Sequence, residues 1–448
     1  MKKTILYTSV AAIALASCTK TQFSSQTYSP GSANFTKMVA VGNSLTQGYM
    51  DGGLYAYGQS NSYPSIIAQQ VKLAVPSMVF NQPTVTGNGS GYIHLVYLNG
   101  QLTPIEPGDD STAGSNPCDA DASWATWGTS LQVNSYNNLG EAGILLTNCV
   151  ALNSTQAIIN NVLTGYQDIA ALGGTVGNPY GRFLNYGSAL VANPTNYIDL
   201  IRSSKATFFT CWLGNNDVLG YATSGGVVTD VSTPLGTIAE NEITPPAVFA
   251  QKYDSVLLAF YNMGAQGVCA TIPDVTTIPF FNTVPSYVMV NGGKQYLWIT
   301  TSAGVRQATD GDYIILPEYN AVVAGQGVYQ SNPVPNNMVL DATEVDSVEI
   351  ATNAYNASIK SLAAQYNFAL VDMHAYLTTL SSSITVDGMT MTRQFVQGGA
   401  FGLDGVHPTA IGYALIANQF IATINAKYGA TIPPVAVSNY RGCLFPSY

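Results

Sequence analysis

Short apolar runs that end in Gly or Pro alternate along this chain with stretches of helical spacing. Lys37–Val41 is such a run and stops at Gly42, the pattern of a buried strand. Ala206–Leu213, Val268–Ile272 (closed by Pro273) and Ala369–Val371 read the same way. Tyr63–Val71 and Ala247–Met263 carry helical spacing, the second stopping at Gly264. Asp341 followed by Glu344 predicts a capping box at the start of another helix. Its apolar face runs through Val348, Thr352, Tyr355, Ile359, Leu362 and Tyr366. A last helix is predicted from about Pro408 to Tyr428, with Pro in the first turn and Gly429 as the C-cap. Strands alternating with helices predict an α/β fold, a parallel sheet covered on both faces. Two stretches break the alternation: 75–136 is rich in Gly, Pro, Asn and Thr, and 273–338 in Pro and aromatic residues with short β-like runs such as Tyr296–Thr300. Both are expected to be loop-rich insertions at the ends of the sheet. No internal repeat is present.

The N-terminus has the pattern of a processing signal. Lys2 and Lys3 precede an apolar stretch, Ile5–Ala16, of 12 residues, too short to span a bilayer. It runs into Leu15-Ala16-Ser17-Cys18, which resembles the lipobox of bacterial lipoproteins, in which the Cys is lipidated. The alternative is an ordinary secretory signal with an incidental Cys. The resemblance implies a signal peptide over 1–17, a lipidated Cys18 with a polar, flexible tether over 18–35, and an exported, membrane-anchored protein, at the outer membrane by expectation. No other stretch reaches 18 apolar residues.

Composition sharpens this picture. Of the 448 residues, only 9% are charged, against roughly 25% in ordinary globular proteins. The formal charge is −10, and the 15 basic residues form no cluster, which speaks against nucleic acid as a partner. The 28 Tyr suit half-buried positions where the ring packs and the hydroxyl bonds; lining a sugar surface is the other use. Beyond Cys18 five Cys remain, so they cannot all pair internally. Cys211 and Cys269 lie in apolar runs and are expected as buried thiols; Cys118 and Cys149 are left open as a pair. No Cys or His spacing suggests a metal, and no cofactor is expected.

Four separated pieces carry candidate chemistry. Ser44 follows the first strand in Gly42-Asn43-Ser44-Leu45, Gly143 lies in Asn138-Leu139-Gly140-Glu141-Ala142-Gly143, Asn216 in Gly214-Asn215-Asn216-Asp217, and Asp404 and His407 in Asp404-Gly405-Val406-His407. A serine needs a base to take its proton, and an imidazole does this near neutral pH. A carboxylate three residues before the His reaches the same ring in a turn and stabilises its charged form. Each piece has a bland reading too: Ser44 as a helix N-cap, Asn216 as a turn residue, His407 as a surface His. The rival base, His374, follows a strand, has its Asp two residues away and is expected to be structural. His94 is the remaining His.

In these four ordered pieces, from about Lys37 to Tyr428, the chain resembles the SGNH hydrolases, also called the GDSL esterase/lipase family. The resemblance implies a flavodoxin-like three-layer α/β/α sandwich over 36–428, with 429–448 as a C-terminal tail. It implies Ser44 as nucleophile, Asp404 and His407 as its partners, and Ser44, Gly143 and Asn216 as oxyanion-hole donors. The family's Gly-Asp-Ser-Leu stands here as Gly42-Asn43-Ser44-Leu45, so any electrostatic role of that Asp is missing or falls to another group such as Asp217. The implied function is an exported serine esterase acting on acylated carbohydrate or on short-chain or lipid esters. The rival is a non-catalytic glycan-binding surface lipoprotein on a hydrolase-like core. The segment Pro273–Phe281 leaves the carboxyl end of a strand, so the second insertion is expected to overhang the site, with Phe280 and Phe281 as pocket walls or as plugs of a satellite core.

Overall fold

The computed structural model describes residues 27–98, 101–109, 117–124, 136–149, 167–169, 174–176, 197–228 and 241–443. Five parallel strands form the central sheet: β1 (Met38–Gly42), β2 (Asn138–Gly140), β3 (Phe208–Trp212), β4 (Gln266–Ala270) and β5 (Ala369–Val371), in the order β5-β4-β3-β1-β2. This is the flavodoxin-like order, whose winding direction reverses between β1 and β3. The principal helices are α1 (Ser44–Gln47), α2 (Tyr63–Ala74), α3 (Tyr197–Ser204), α4 (Asn216–Thr223), α5 (Pro246–Asn262), α6 (Ala342–Gln365) and α7 (Ala410–Tyr428).

β3 shows why both faces of the sheet are covered. All five of its residues are buried, and they alternate between the layers. Phe208 and Trp212 point to one side, where Phe208 meets Phe35 and Tyr428, and Trp212 meets Tyr63 of α2 and Phe420 of α7. Phe209 points to the other and stacks on Phe260 of α5 at 4.0 Å. Helices α2 and α7 pack together on the first side, and α5 packs with α3 and α6 on the second. Asp341 caps α6 with both halves of the predicted box, and Gly429 closes α7 in the left-handed conformation. Pro408 lies just outside α7, whose N-cap is Thr409. No helix among the described residues is long and apolar enough to cross a membrane.

The ends of the domain differ from expectation. The expected signal segment and Cys18 lie outside the described residues, but the last part of the expected tether is docked. Ser29 N–H donates to Thr431 Oγ1 at 2.8 Å, Ser32 N–H to Tyr428 O at 2.8 Å, and the Phe35 ring is buried. The C-terminal segment is docked as well. The Asn425 amide brackets the backbone of Ile432, the Asn418 amide that of Val435, and both apolar side chains are buried. An apolar residue every few positions holds each terminus down.

The second insertion carries its own small core, built from Leu297, Ile299, Ile314, Val334 and their neighbours. Phe281 is buried in the main core, while Phe280 is partly buried and its N–H donates to Gly405 O at 2.9 Å. Neither lines the cavity beside Ser44; this part of the insertion buttresses the loop that carries Asp404. In the first insertion, strands His94–Leu98 and Gln101–Ile105 form a hairpin, and Ile93 and Leu95 pack on Leu403. Cys118, Cys149, Cys211 and Cys269 are buried and none forms a disulfide, so Cys118 and Cys149 do not pair.

Candidate active site

Register brings the pieces together. Gly42, at the end of β1, lies level with Gly140 of β2 and with Trp212 of β3. The segments carrying Gly143 and Asn216 therefore leave the same edge of the sheet as Ser44, each one strand spacing to either side of it, at the crevice where open α/β sheets bind ligands. Tyr197 pins this edge from α3: its hydroxyl donates to Leu139 O at 2.5 Å and accepts from Gly42 N–H at 3.3 Å.

Ser44 is the first residue of α1. Asn43 caps that helix through its side chain, which accepts from Leu45 N–H at 3.1 Å. The cap needs a carbonyl-type oxygen and no charge, so Asn serves where the family pattern has Asp. The Ser44 Oγ lies 2.8 Å from His407 Nε2, and His407 Nδ1 lies 2.7 Å from Asp404 Oδ2. This is the serine–imidazole–carboxylate chain required for nucleophilic attack. All three side chains are largely buried, with Ser44 7% exposed. Burial pushes the Asp404 carboxyl up, but the His407 ring and the N–H groups of Val406 and His407 outweigh it and hold it below its ordinary range. Asp404 Oδ2 also accepts from Gly52 N–H at 2.9 Å.

Gly143 takes a positive φ of 79°, a backbone conformation that glycine adopts without strain. Gly140 does not relieve a turn: a Cβ there would lie 2.2 Å from Gln47 N, so its absence lets α1 approach β2. Gly143 N–H has no partner among the described residues. The Asn216 side chain donates one N–H to Ile144 O at 3.0 Å, which fixes its amide beside the Gly143 turn and leaves its second N–H for a ligand. With Ser44 N–H, one of the unpaired donors of a helix start, these groups can hold an oxyanion.

Asp217 does not line the cavity beside Ser44; its carboxyl is turned to backbone and to Thr244. Its buried carboxylate accepts from Leu146 N–H at 3.1 and 3.3 Å and from Thr244 Oγ1 at 2.8 Å. It ties the Gly143–Leu146 segment to the start of α4, and burial pushes its carboxyl up to about 7. His374 is structural, as expected: its Nδ1 lies 3.1 Å from Ile272 O and its N–H donates to Thr271 Oγ1 at 2.9 Å. His94 sits in the insertion hairpin, paired with Ile105. Sequence reasoning missed Tyr49, whose ring packs on the His407 imidazole with centroids 4.7 Å apart and whose hydroxyl donates to Gly52 O at 2.6 Å. Nothing in the local pattern marks it beyond its place five residues after Ser44.

Beside Ser44 and His407 opens a cavity of about 60 Å³, with Leu45, Trp212, Leu219, Ile278, Leu377 and Phe401 among its apolar walls. From the second insertion only its first residues, Pro273, Val275, Thr277 and Ile278, reach it. Asn215 also lines it, 5% exposed, with neither its Oδ1 nor its Nδ2 hydrogen-bonded among the described residues.

The family comparison agrees with this geometry. Residues 38–420 match the family GDSL-like Lipase/Acylhydrolase, and the chain belongs to it. The protein is a carboxylic ester hydrolase of the GDSL type. Among solved structures, it is similar to a mutant of an acetyl-xylooligosaccharide esterase from Geobacillus, with 10% identity, 88% of this chain and 96% of that one covered, and a TM-score of 0.35. It is likewise similar to an alpha/beta hydrolase enzyme from the metagenome of Lake Arreo, with 11% identity, coverage of 88% and 97%, and a TM-score of 0.34. No curated protein matches the chain.

Two outcomes test this arrangement. Asn216→Ala is expected to lower kcat by about 10²–10³ with little change in KM, because an oxyanion donor acts on the transition state; a change confined to KM would make Asn216 a substrate binder. Asp217 has a folded pKa of about 7, above its ordinary 3.8, so the folded state keeps a proton that the unfolded chain releases in that window. Its contribution to stability therefore falls as pH rises from about 4 to 7 and is flat above. Thermal melts of wild type and Asp217→Asn across this range should show a weaker fall with pH in the variant. Parallel curves would mean that Asp217 titrates elsewhere.

Proposed function

We propose that this protein is an exported, lipid-anchored serine esterase that removes short acyl groups from carbohydrate esters. The observation that carries the reading is the unbroken chain from Ser44 Oγ through His407 to Asp404 at 2.8 and 2.7 Å. In the proposed reaction Ser44 Oγ attacks the ester carbonyl carbon while His407 Nε2 takes its proton. The resulting oxyanion is met by the N–H groups of Ser44 and Gly143 and by the Asn216 amide. The imidazolium then protonates the leaving alcohol, and water, activated by the same His407, releases the acid from Ser44.

The short acyl group is supported by the cavity. Its volume of about 60 Å³ is far below the roughly 300–1,000 Å³ that enclose a drug-sized ligand, and its walls are mostly apolar. A polyhydroxyl alcohol is supported by Asn215. A buried amide without partners costs about 1–3 kcal/mol, and a sugar hydroxyl offers both a donor and an acceptor to satisfy it. A simple lipid ester offers acceptor oxygens but no donor for Asn215 Oδ1. The anchor rests on the Leu15-Ala16-Ser17-Cys18 pattern alone.

Nitrophenyl esters of increasing chain length, assayed beside acetylated oligosaccharides, should show turnover greatest at two to four acyl carbons and higher kcat/KM on the sugars. Ser44→Ala, which adds no bulk, serves as the blank. Equal or rising turnover with long acyl chains would overturn the short-acyl reading, and full activity in Ser44→Ala would overturn the serine mechanism. For the anchor, Cys18→Ala should move the protein from the membrane fraction to the soluble exported fraction; continued sedimentation with membranes counts against lipidation at Cys18.

A further inference from the structure

Asp404 is itself held from a distant part of the chain. Met50 and Gly53 exchange backbone hydrogen bonds, both 3.0 Å, around Asp51 and Gly52, whose φ values are 51° and 74°. Positive φ at both central residues is the pattern of a type I′ turn, for which Asp-Gly is a favoured pair. The turn presents two groups to one loop. Gly52 N–H donates to Asp404 Oδ2 at 2.9 Å, and Asp51 Oδ1 accepts from Leu403 N–H at 2.8 Å. Asp51 Oδ2 is fixed from the other side by the Tyr55 hydroxyl at 2.8 Å, and Tyr55 stacks on Tyr92 with centroids 4.1 Å apart. The Asp51 carbonyl accepts from Ile93 N–H at 2.7 Å, at the base of the insertion hairpin. Gly402 leaves the room required, since a Cβ there would lie 2.6 Å from Asp51 Oδ1.

We propose that Asp51 is a positioning residue for the Ser44–His407–Asp404 chain: by accepting from Leu403 N–H within the turn that also delivers Gly52 N–H, it sets where the Asp404 carboxylate meets the imidazole. The inference rests on the proposed serine mechanism. Asp404 belongs to a loop rather than to the sheet, so register does not place it, and the clamp from residues 51 and 52 supplies the constraint that β1, β2 and β3 give to the other pieces. The demand on Asp51 is for a hydrogen-bond acceptor in a left-handed conformation. Asn meets both demands and Ala meets neither.

The test compares Asp51→Ala, Asp51→Asn and Tyr55→Phe in turnover of nitrophenyl acetate, with the His407 Nδ1 proton followed by NMR and assigned by its loss in His407→Ala. Asp51→Ala should lose about ten- to a hundredfold in kcat, with KM within about twofold, and its Nδ1 proton should shift or broaden. Asp51→Asn should keep kcat within about threefold, with the proton near its wild-type position. Tyr55→Phe, which leaves the turn intact, should show a smaller loss with a shift in the same direction, and it carries the test if Asp51→Ala does not fold. An unchanged kcat in Asp51→Ala overturns the proposal. So does a loss with the Nδ1 proton unmoved, a loss as large in Asp51→Asn, or, where only Tyr55→Phe folds, no change in it. Failure of the serine mechanism is read separately: Ser44→Ala would remain active and a fluorophosphonate would not label Ser44.

Discussion

The alignment of Gly42 with Gly140 and Trp212 is the constraint on which the site depends. Parallel strands that end level with each other send their following loops out at one edge, and a one-residue slip of β1 would turn its side chains to the opposite face of the sheet. Ser44 would then leave the reach of His407, which is only 2.8 Å away at its closest atom. The register is held by buried apolar residues on both faces of β3 and by the Tyr197 hydroxyl bonded to both β1 and β2. At the same edge Asp217 fixes the Leu146 amide to the start of α4. The spacing of Gly143 and Asn216 is thus held in part by a buried carboxylate that hydrogen-bonds to neither.

The C-terminal piece is placed by different means. Gly402 N–H donates to His407 O at 2.7 Å and Gly405 N–H to Gly402 O at 3.1 Å, closing a compact loop around Asp404. Asp404 Oδ1 accepts from the Val406 and His407 amides at 2.9 Å each, so the carboxylate organises the turn that presents it. Thr409 then starts α7, whose buried length anchors the loop to the sheet. Spacing Asp and His three residues apart therefore serves both backbone and chemistry: one oxygen caps the turn while the other faces the imidazole.

Much of this was legible in the sequence because its causes are local. The apolar runs Lys37–Val41 and Ala206–Leu213 overlap the strands Met38–Gly42 and Phe208–Trp212, and the Asp341–Glu344 box starts its helix as read. The spacing of Asp404 and His407 needed only a turn. The docked N-terminal segment was not legible, because Ser29 and Thr431 are partners across the whole domain. Phe280 and Phe281 were open to two readings because an aromatic pair in a Pro-rich stretch looks alike whether it lines a pocket or fills a core. Tyr49 lay beyond the motif, and its importance comes from a ring contact to His407, distant in sequence. Register is invisible to periodicity, so the convergence of the pieces came from the family pattern and not from the residues themselves.

A chain with few charges places three aspartates around the site, and their environments separate them. Asp404 is held below its ordinary range because the His407 ring and two amides outweigh burial. Asp51 is pushed up to about 6: burial acts first, and the neighbouring Asp404 adds to it against the pull of the Leu403 amide. Asp217, enclosed with no cationic partner among the described residues, is pushed up to about 7. Near neutrality the carboxylate to which the proposed mechanism gives the imidazolium is the one most firmly ionised, while the two that hold backbone titrate closer to neutral pH. Hydrogen-bond acceptance from an amide survives protonation, because the carbonyl oxygen remains; stabilisation of a cation does not. The ordering of the three groups therefore follows their tasks, and it arises from what each carboxyl touches rather than from the residue type they share.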